Sequence, residues 1–490
     1  MKLFHNIING KRIVSHSGET IVSVNPATEK PIARFPKGTV QDVHSAIDAA
    51  EKAADEWAVT PPPKRGQILL RAAQILRKEK QNLGRLVTME MGKVLPEGLG
   101  DVQESIDMLE YASGEGRRLF GHTTTSELPD RVAITLRSHV GVMGLITPWN
   151  FPTAIPAWKL APCLVCGNTA VFKPASDTPL CALKMVELLE KAGLPKGVVN
   201  FVTGSGGVVG AEMVRNKKIR GISFTGSREI GEFVVRNAGI KKIGLELGGK
   251  NGIIVMDDAD LGIAVDGIIF GAYGTTGQRC TATSRVIVHR KVRQKLERTL
   301  TARIRKLRLG NGLKSSTDVG PLINKAAVEK VHEYTRIGLE EDGARLVAGG
   351  KPAKVGGKGF FYRPTLFTNV TTDMRIAQEE IFGPSLSLIE IKNLDDAVDA
   401  MNSVSYGLSA AIYTNRIRNA MVAIRDIDAG IVYVNSSTIG SEVHLPFGGV
   451  KQTGNGAREA GIEGINEFSE TKTVYMDYSG RLQKAQIDVD

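Results

Sequence analysis

Short apolar runs alternate with longer amphipathic stretches along most of this 490-residue chain. Segments 49–57 and 65–85 carry apolar positions at helical spacing and are divided by the breaker PPP at 61–63, so two amphipathic helices are predicted there. The runs GVMGLIT (141–147), TAVFK (169–173) and VVNFVTG (198–204) read as buried strands. A helical stretch, Pro179–Ala192, lies between the last two and ends in the stop signal GLP. Strand-helix-strand units of this kind imply a parallel sheet covered on both faces. The rhythm resumes after position 250. GIIVM (252–256) reads as a strand, DADLGIAVDGIIFGAYG as a capped helix and SRVIVH (284–289) as another strand, so a second α/β unit is expected over about 250–460. Two segments alternate like exposed antiparallel strands instead, RVAITLRSH (131–139) and TKTVYMDY (471–478). Each can extend a sheet outward, and a paired edge of that sort is a subunit contact.

Length makes two or three domains the expectation. The composition, 42% hydrophobic and 23% charged, is that of an ordinary globular protein, with no internal repeat or low-complexity block. A net charge of +11 raises the question of nucleic acid. The densest basic segment, Arg290–Gly310, places Val292, Leu296, Leu300, Ile304 and Leu307 at helical spacing with Arg and Lys on the other faces. It reads as a solvated amphipathic helix. No zinc-knuckle cysteines or aromatic platform motif argue for a nucleic-acid or membrane patch. Four cysteines are too few for a disulfide scaffold, and no signal peptide or membrane span is evident, so a cytoplasmic protein is expected. Cys163 and Cys166 have metal-like spacing, but they lie in the apolar stretch WKLAPCLVCGN without a second pair; the 8 histidines show no ligand spacing either. Packing cysteines and no metal are expected.

The fourth cysteine differs. Cys280 sits in TTGQRCTATS, too polar and glycine-rich to be a packed core. A thiol needs a positive environment or a nearby base to become thiolate at neutral pH. Arg279 is an adjacent charge, and Glu246 in ELGGKN, 34 positions earlier, is a candidate base for the thiol or for a later water molecule. Three further motifs precede them. In TPWNFP, two prolines rigidify a loop that holds Asn150, whose amide can donate to an oxyanion; taken alone it is a turn residue. In VFKPAS, Lys173 leaves the carboxyl end of a strand, where open α/β sheets bind ligands; taken alone it is an exposed lysine before a proline. In TGSGGVVG, Gly204, Gly206 and Gly210 miss the dinucleotide spacing by one. FTGSREIG opens a helix, and there Gly226 allows the turn while Ser227 and nearby N–H groups can face a pyrophosphate.

Taken together these residues resemble the aldehyde dehydrogenase superfamily. TPWNFP, KPASDTP, FTGSREIG, ELGGKN, GQRC, PLIN (321–324), EEIFGP (379–384) and PFGGVKQTGNGAREAG (446–461) appear in that family's order and spacing across nearly the whole chain. The resemblance implies that Cys280 is the nucleophile, Glu246 the general base, and Asn150 with the Cys280 backbone N–H the oxyanion hole. Lys159 matches a lysine near a proton exit behind the base. It further implies that Lys173 and Glu380 hold ribose hydroxyls and Ser227 a pyrophosphate. Thr147, Pro148, Trp149, Ser176, Gly206, Gly210, Phe224, Thr225, Gly226, Leu247, Gly248 and Phe382 fall at cofactor positions. Motif position makes Phe151, Trp158, Arg279, Phe447 and the 439–445 loop candidates for the substrate pocket. The implied product is a free acid, because members that pass the acyl group to coenzyme A usually lack the glutamate.

One departure matters. NAD-preferring members often carry a glutamate where this chain has Ser176, and a carboxylate there would repel a 2′-phosphate. NADP is therefore the expected cofactor, with NAD also used. The stretches STIGSEVHLPFGGVKQTGNG and KTVYMDYSGRLQKAQID look most like those of 2-oxoglutarate semialdehyde dehydrogenases. NADP-linked enzymes acting on glyceraldehyde or its 3-phosphate, and a broad-specificity enzyme, remain alternatives. A cysteine hydrolase without redox chemistry would need no nucleotide motifs, and a catalytically dead relative would have lost Cys280, Glu246 or Asn150. The resemblance implies an α/β fold with a Rossmann-like nucleotide-binding domain at 1–118 and 140–249 and a catalytic domain at 250–468. Segments 119–139 and 469–490 would form an oligomerisation arm, making a homo-oligomer, a dimer or dimer of dimers.

Overall fold

The computed structural model describes residues 1–487, so the last positions expected in the arm, 488–490, lie outside the described residues. Two seven-stranded sheets organise the chain. The first runs in the order Lys242–Glu246, Gly221–Thr225, Val142–Ile146, Thr169–Lys173, Val199–Phe201, Asn6–Ile8 and Lys11–Ile13. Its first five strands are parallel. The second runs in the order Arg345–Ala348, Thr365–Val370, Ser385–Ile391, Thr283–His289, Asn251–Val255, Ser409–Tyr413 and Ile431–Val434, and only Arg345–Ala348 is antiparallel to its neighbour.

Central strands such as Val142–Ile146, Thr169–Lys173 and Asn251–Val255 are buried along their whole length. Parallel strands covered by helices on both faces need apolar side chains on both, which is why they read as continuous runs. The helices begin where capping chemistry places them. Thr39 and Asp42 form a capping box at the head of Val40–Val59, so this helix starts nine residues before the periodic stretch seen from the sequence. The next, Pro62–Met91, opens with proline in its first turn and ends at Gly92 in the left-handed conformation (φ 101°). Asp260 accepts from the Gly262 and Ile263 N–H groups to start Leu261–Tyr273. The basic segment forms Arg290–Lys306, with Leu296, Leu300 and Ile304 buried and its cations outward, several paired to surface acids. Among the described residues no helix is long and apolar enough to cross a membrane.

The two alternating segments pair with each other. Arg131–His139 and Ser469–Asp477 run antiparallel in register over nine residues, and Thr123–Thr125 lies on the other side of the first. Leu136, Tyr475 and Met476 of this small sheet are exposed.

Candidate active site

Parallel strands end on the same side, so the first sheet delivers four motifs to one edge. Val142–Ile146 runs into Thr147–Asn150, Thr169–Lys173 ends on Lys173, Gly221–Thr225 leads through Gly226 and Ser227 into the helix Arg228–Ala238, and Lys242–Glu246 ends on Glu246. Two cavities open there. One, of about 270 Å³, is walled by Pro148, Trp149, Asn150, Thr225, Gly226, Ser227, Leu247, Gly248, Cys280, Glu380 and Phe382, among others. The second, of about 420 Å³, shares Pro148, Trp149, Thr225, Gly226 and Ser227 and adds Thr147, Lys173, Gly206, Gly210, Phe224 and Arg215. An elongated cleft with a helix N-terminus at its middle, a buried lysine in one arm and a thiol in the other fits a dinucleotide.

Cys280 comes from the second unit, on the loop before Thr283–His289. Asn251 holds that loop, its Nδ2 donating to the carbonyls of Cys280 (2.7 Å) and Ala282 (3.0 Å). Asn150 Nδ2 donates to the Gln278 carbonyl at 3.0 Å, which leaves its second N–H for a ligand. Burial, followed by the charges of Glu246 and Glu380, pushes the Cys280 thiol up to about 12. Arg279 does not relieve this. Its guanidinium lies 3.3 Å from Glu97, donates to Thr275 Oγ1 at 2.9 Å and stacks over Phe151 and Phe270. Activation of the thiol therefore falls to a proton acceptor rather than to a neighbouring cation.

Glu246 is buried with both carboxylate oxygens unpartnered. Burial, then the charges of Glu459 and Glu467, hold its carboxyl well above the usual range. The charge of Glu459 raises the proton affinity of both Glu246 and Glu467. Lys159 bonds Glu459 and, at 2.8 Å, Ser223 Oγ, so its ammonium is held by Glu459 rather than by Glu246. Glu380 accepts from the Gly249 N–H at 3.0 Å. Its carboxylate lies so close over Gly248 that a Cβ there would overlap Oε2. Trp149 and Phe382 meet edge to face at 5.5 Å.

In the other arm of the cleft, Lys173 Nζ donates to the Pro174 carbonyl at 2.9 Å, and burial lowers it to about 8. Ser176 turns its hydroxyl to the Gly204 carbonyl (3.3 Å) and is not on the cavity wall. The four side chains expected around the substrate also stand off the wall beside Cys280. Trp158 and Phe447 pack edge to face at 5.1 Å inside the core cluster against which Cys280 rests. Phe151 lies under Lys93, whose ammonium is 3.6 Å from the ring centroid and pairs with Asp101 at 2.9 Å. Cys163, Cys166 and Cys181 are buried free thiols. Arg215, Asn251, Gln278, Glu459 and Glu467 escaped the sequence reading. Asn251 and Glu459 lie within motifs already singled out, ELGGKN and GAREAG, whereas Glu467 carries no local signal.

A model described as the aldehyde dehydrogenase family matches residues 13–474. The alpha-ketoglutaric semialdehyde dehydrogenase of Bacillus subtilis is 40% identical over 96% of this chain and 97% of its own length. The 2,5-dioxopentanoate dehydrogenase of Saccharolobus solfataricus is 42% identical over 94% and 97%. Among solved structures, betaine aldehyde dehydrogenase of Staphylococcus aureus in complex with NAD+ superposes with a TM-score of 0.95 at 34% identity, covering 98% of this chain and 96% of that one.

Proposed function

Because the chain belongs to the aldehyde dehydrogenase family, we propose that it oxidises 2-oxoglutarate semialdehyde to the free acid through a thioester on Cys280, using NADP in preference to NAD. The observation that carries this reading is the single cavity shared by Cys280, Asn150 and Glu380, with Glu246 close enough to raise the thiol.

Lys173, Gly226, Ser227 and Glu380 would hold the dinucleotide, with the N-terminus of Arg228–Ala238 facing its pyrophosphate. When bound, the nicotinamide supplies the two-electron acceptor. Cys280 Sγ adds to the aldehyde carbon as its proton leaves toward Glu246. The oxyanion so formed lies between Asn150 Nδ2 and the Cys280 N–H, each donor worth about 3 kcal/mol. Once the thiohemiacetal has been oxidised and Glu246 has released the thiol proton to solvent, water adds to the thioester carbon and gives a proton to Glu246. The C–S bond then breaks, returning its electron pair to Cys280.

The two semialdehyde dehydrogenases among the relatives support the substrate. The likeness to a betaine aldehyde dehydrogenase keeps a broader specificity as the second reading. Lys173 and Arg215, cations on the wall of the larger cavity, together with the absence of a carboxylate at Ser176, support NADP. The four free thiols fit a reducing cytoplasm. The two seven-stranded sheets and the small third one support a division into 1–118 with 140–249, 250–468, and an arm of 119–139 with 469–490, whose last three positions lie outside the described residues. The arm's exposed apolar side chains make a homo-oligomer the working assembly.

A panel of aldehydes against both nucleotides, followed by nucleotide absorbance, tests the reading. The semialdehyde should give the highest kcat/KM, and NADP should match or exceed NAD; a tenfold advantage for NAD would overturn the cofactor assignment. Cys280→Ser should lose at least about a thousandfold in oxidation. Glu246→Gln should give one equivalent of reduced nucleotide in a burst, then slow hydrolysis. Wild-type turnover in either variant would refute the mechanism.

A further inference from the structure

The loop that carries Cys280 opens with a turn that its own residues do not favour. Thr275 (φ 52°, ψ 26°) and Thr276 (φ 59°, ψ 32°) are both left-handed, and Gly277 (φ 70°) continues the conformation. Glycine adopts such angles freely, whereas a β-branched residue adopts them only where its surroundings impose them. Backbone held in this way clusters at sites that need a preset geometry.

The partners of the turn show what imposes it. Glu97 lies in the first turn of the helix Leu95–Glu115, 178 positions before Thr275. Its Oε1 accepts from the Thr275 N–H at 2.7 Å and from Arg279 Nη2 at 3.3 Å. Arg279 Nε donates in turn to Thr275 Oγ1 at 2.9 Å, closing a triangle of Glu97, Thr275 and Arg279. The Glu97 and Arg279 side chains are 12% and 13% exposed, so little water competes for these bonds. Gly274 keeps the approach open, since a Cβ there would come within 3.1 Å of the same carboxylate oxygen.

The triangle fixes more than Arg279. The Cys280 N–H belongs to the rigid peptide plane between residues 279 and 280, so its direction follows the Arg279 backbone. One residue earlier, the Gln278 carbonyl accepts from Asn150 Nδ2 at 3.0 Å. The Gln278 side chain ties the turn to itself and to its surroundings, Nε2 donating to the Thr275 carbonyl (3.2 Å) and Oε1 accepting from the Ile323 N–H (2.9 Å). Both donors assigned to the oxyanion thus depend on residues 275–279. The thiol is held separately, through the bond from Asn251 to the Cys280 carbonyl.

We propose that Glu97 is a positioning residue for the oxyanion hole: by holding Thr275 and Arg279 it keeps the left-handed turn in place, and with it the aim of the Cys280 N–H and of Asn150 Nδ2. The inference rests on the assignment of Cys280 as nucleophile and Asn150 as donor. Without the Glu97 carboxylate, the Thr275 N–H and the Arg279 guanidinium lose their acceptor, and the two threonines relax toward ordinary backbone angles. Both donors then swing off the substrate oxygen while Asn251 still holds the thiol.

The test compares, in the full chain, a reaction that builds an oxyanion on Cys280 with one that does not. With 4-nitrophenyl acetate, Sγ adds to the ester carbonyl, an oxyanion forms, and the C–O bond to nitrophenolate breaks with its electron pair. With iodoacetamide, Sγ displaces iodide from a saturated carbon and no oxyanion arises. In Glu97→Ala the rate of the nitrophenolate burst should fall about twentyfold, with alkylation and NADPH affinity within about twofold of wild type. Glu97→Gln keeps an acceptor for the Thr275 N–H and should restore most of the burst rate. Adding Thr276→Gly to Glu97→Ala should restore part of it, because glycine needs no partner to stay left-handed. Thr275→Val, isosteric and lacking only the link to Arg279, should slow the burst about fivefold with alkylation unchanged; this readout stands even if Glu97→Ala folds poorly. An unchanged burst in Glu97→Ala or Thr275→Val, no recovery in Glu97→Gln or on adding Thr276→Gly, or burst, alkylation and nucleotide affinity falling together would each overturn the proposal. A wild-type burst in Cys280→Ser would instead refute the assignment of the nucleophile.

Discussion

Residue by residue, the site depends on groups placed against their solvation preference. Cys280 is a thiol that burial and two carboxylates keep protonated, and Glu246 is a carboxylate with no donor at all. Each disfavours charge on the other, so transfer of a proton between them costs less than ionising either alone. Glu380 depends on the missing side chain at Gly248. Gly248→Ala should displace that carboxylate and weaken nucleotide binding by about tenfold or more, read by fluorescence titration with NADPH; unchanged affinity would mean that Glu380 does not hold the nucleotide. Glu467 also has a consequence for stability. Its carboxyl binds a proton more tightly folded, at about 7, than at the ordinary 4.5. The folded state therefore holds more protons than the unfolded chain between those values, and stability from this group is full below 4.5 and lost as pH rises through about 7. Thermal melts of wild type should fall between pH 5 and pH 8 by more than those of Glu467→Gln, and parallel pH dependences would contradict this.

At the scale of elements, strand ends do the positioning. Three of the chemical motifs were legible in the sequence because each directly follows an apolar run, and a parallel sheet sends all such ends to one side. The loop carrying Cys280 is different, for it is held by Asn251, at the first position of a strand 29 residues earlier. Asn251→Ala leaves two buried carbonyls without a donor, at a cost of about 1–3 kcal/mol each. Its Tm should drop by several degrees, and the rate of Cys280 alkylation by iodoacetamide should change. An unaltered melt and alkylation rate would show that the loop is held by other contacts. The helix Val40–Val59 begins well ahead of its apolar periodicity for a similar reason, since the Thr39–Asp42 capping box sets its start. Periodicity marks the face of a helix that packs, whereas capping marks where the backbone turns.

For the whole molecule, the third small sheet stands apart from the two seven-stranded ones. It leaves Leu136, Tyr475 and Met476 in solvent, side chains that an edge strand in isolation would not favour. If this sheet joins copies of the chain, Tyr475→Asp should lower the mass measured by light scattering by at least half with the far-ultraviolet spectrum kept; an unchanged mass would mean that the sheet makes no assembly contact. The same division between local and assembled information runs through the site. The sequence by itself determined the candidates for the chemistry: Cys280, Glu246, Asn150, Lys173 and Glu380 sit in short motifs, and those motifs are local in the chain. Tertiary structure alone decided the direction of side chains and the company they keep. Arg279, next in sequence to Cys280, turns to Glu97, which is 182 positions away, because burial demands a carboxylate partner for it. Glu467, without any motif, reaches the strand that carries Glu246 because Gly244 leaves the space. Packing brings residues 244 and 467 together, and no spacing along the chain records that contact.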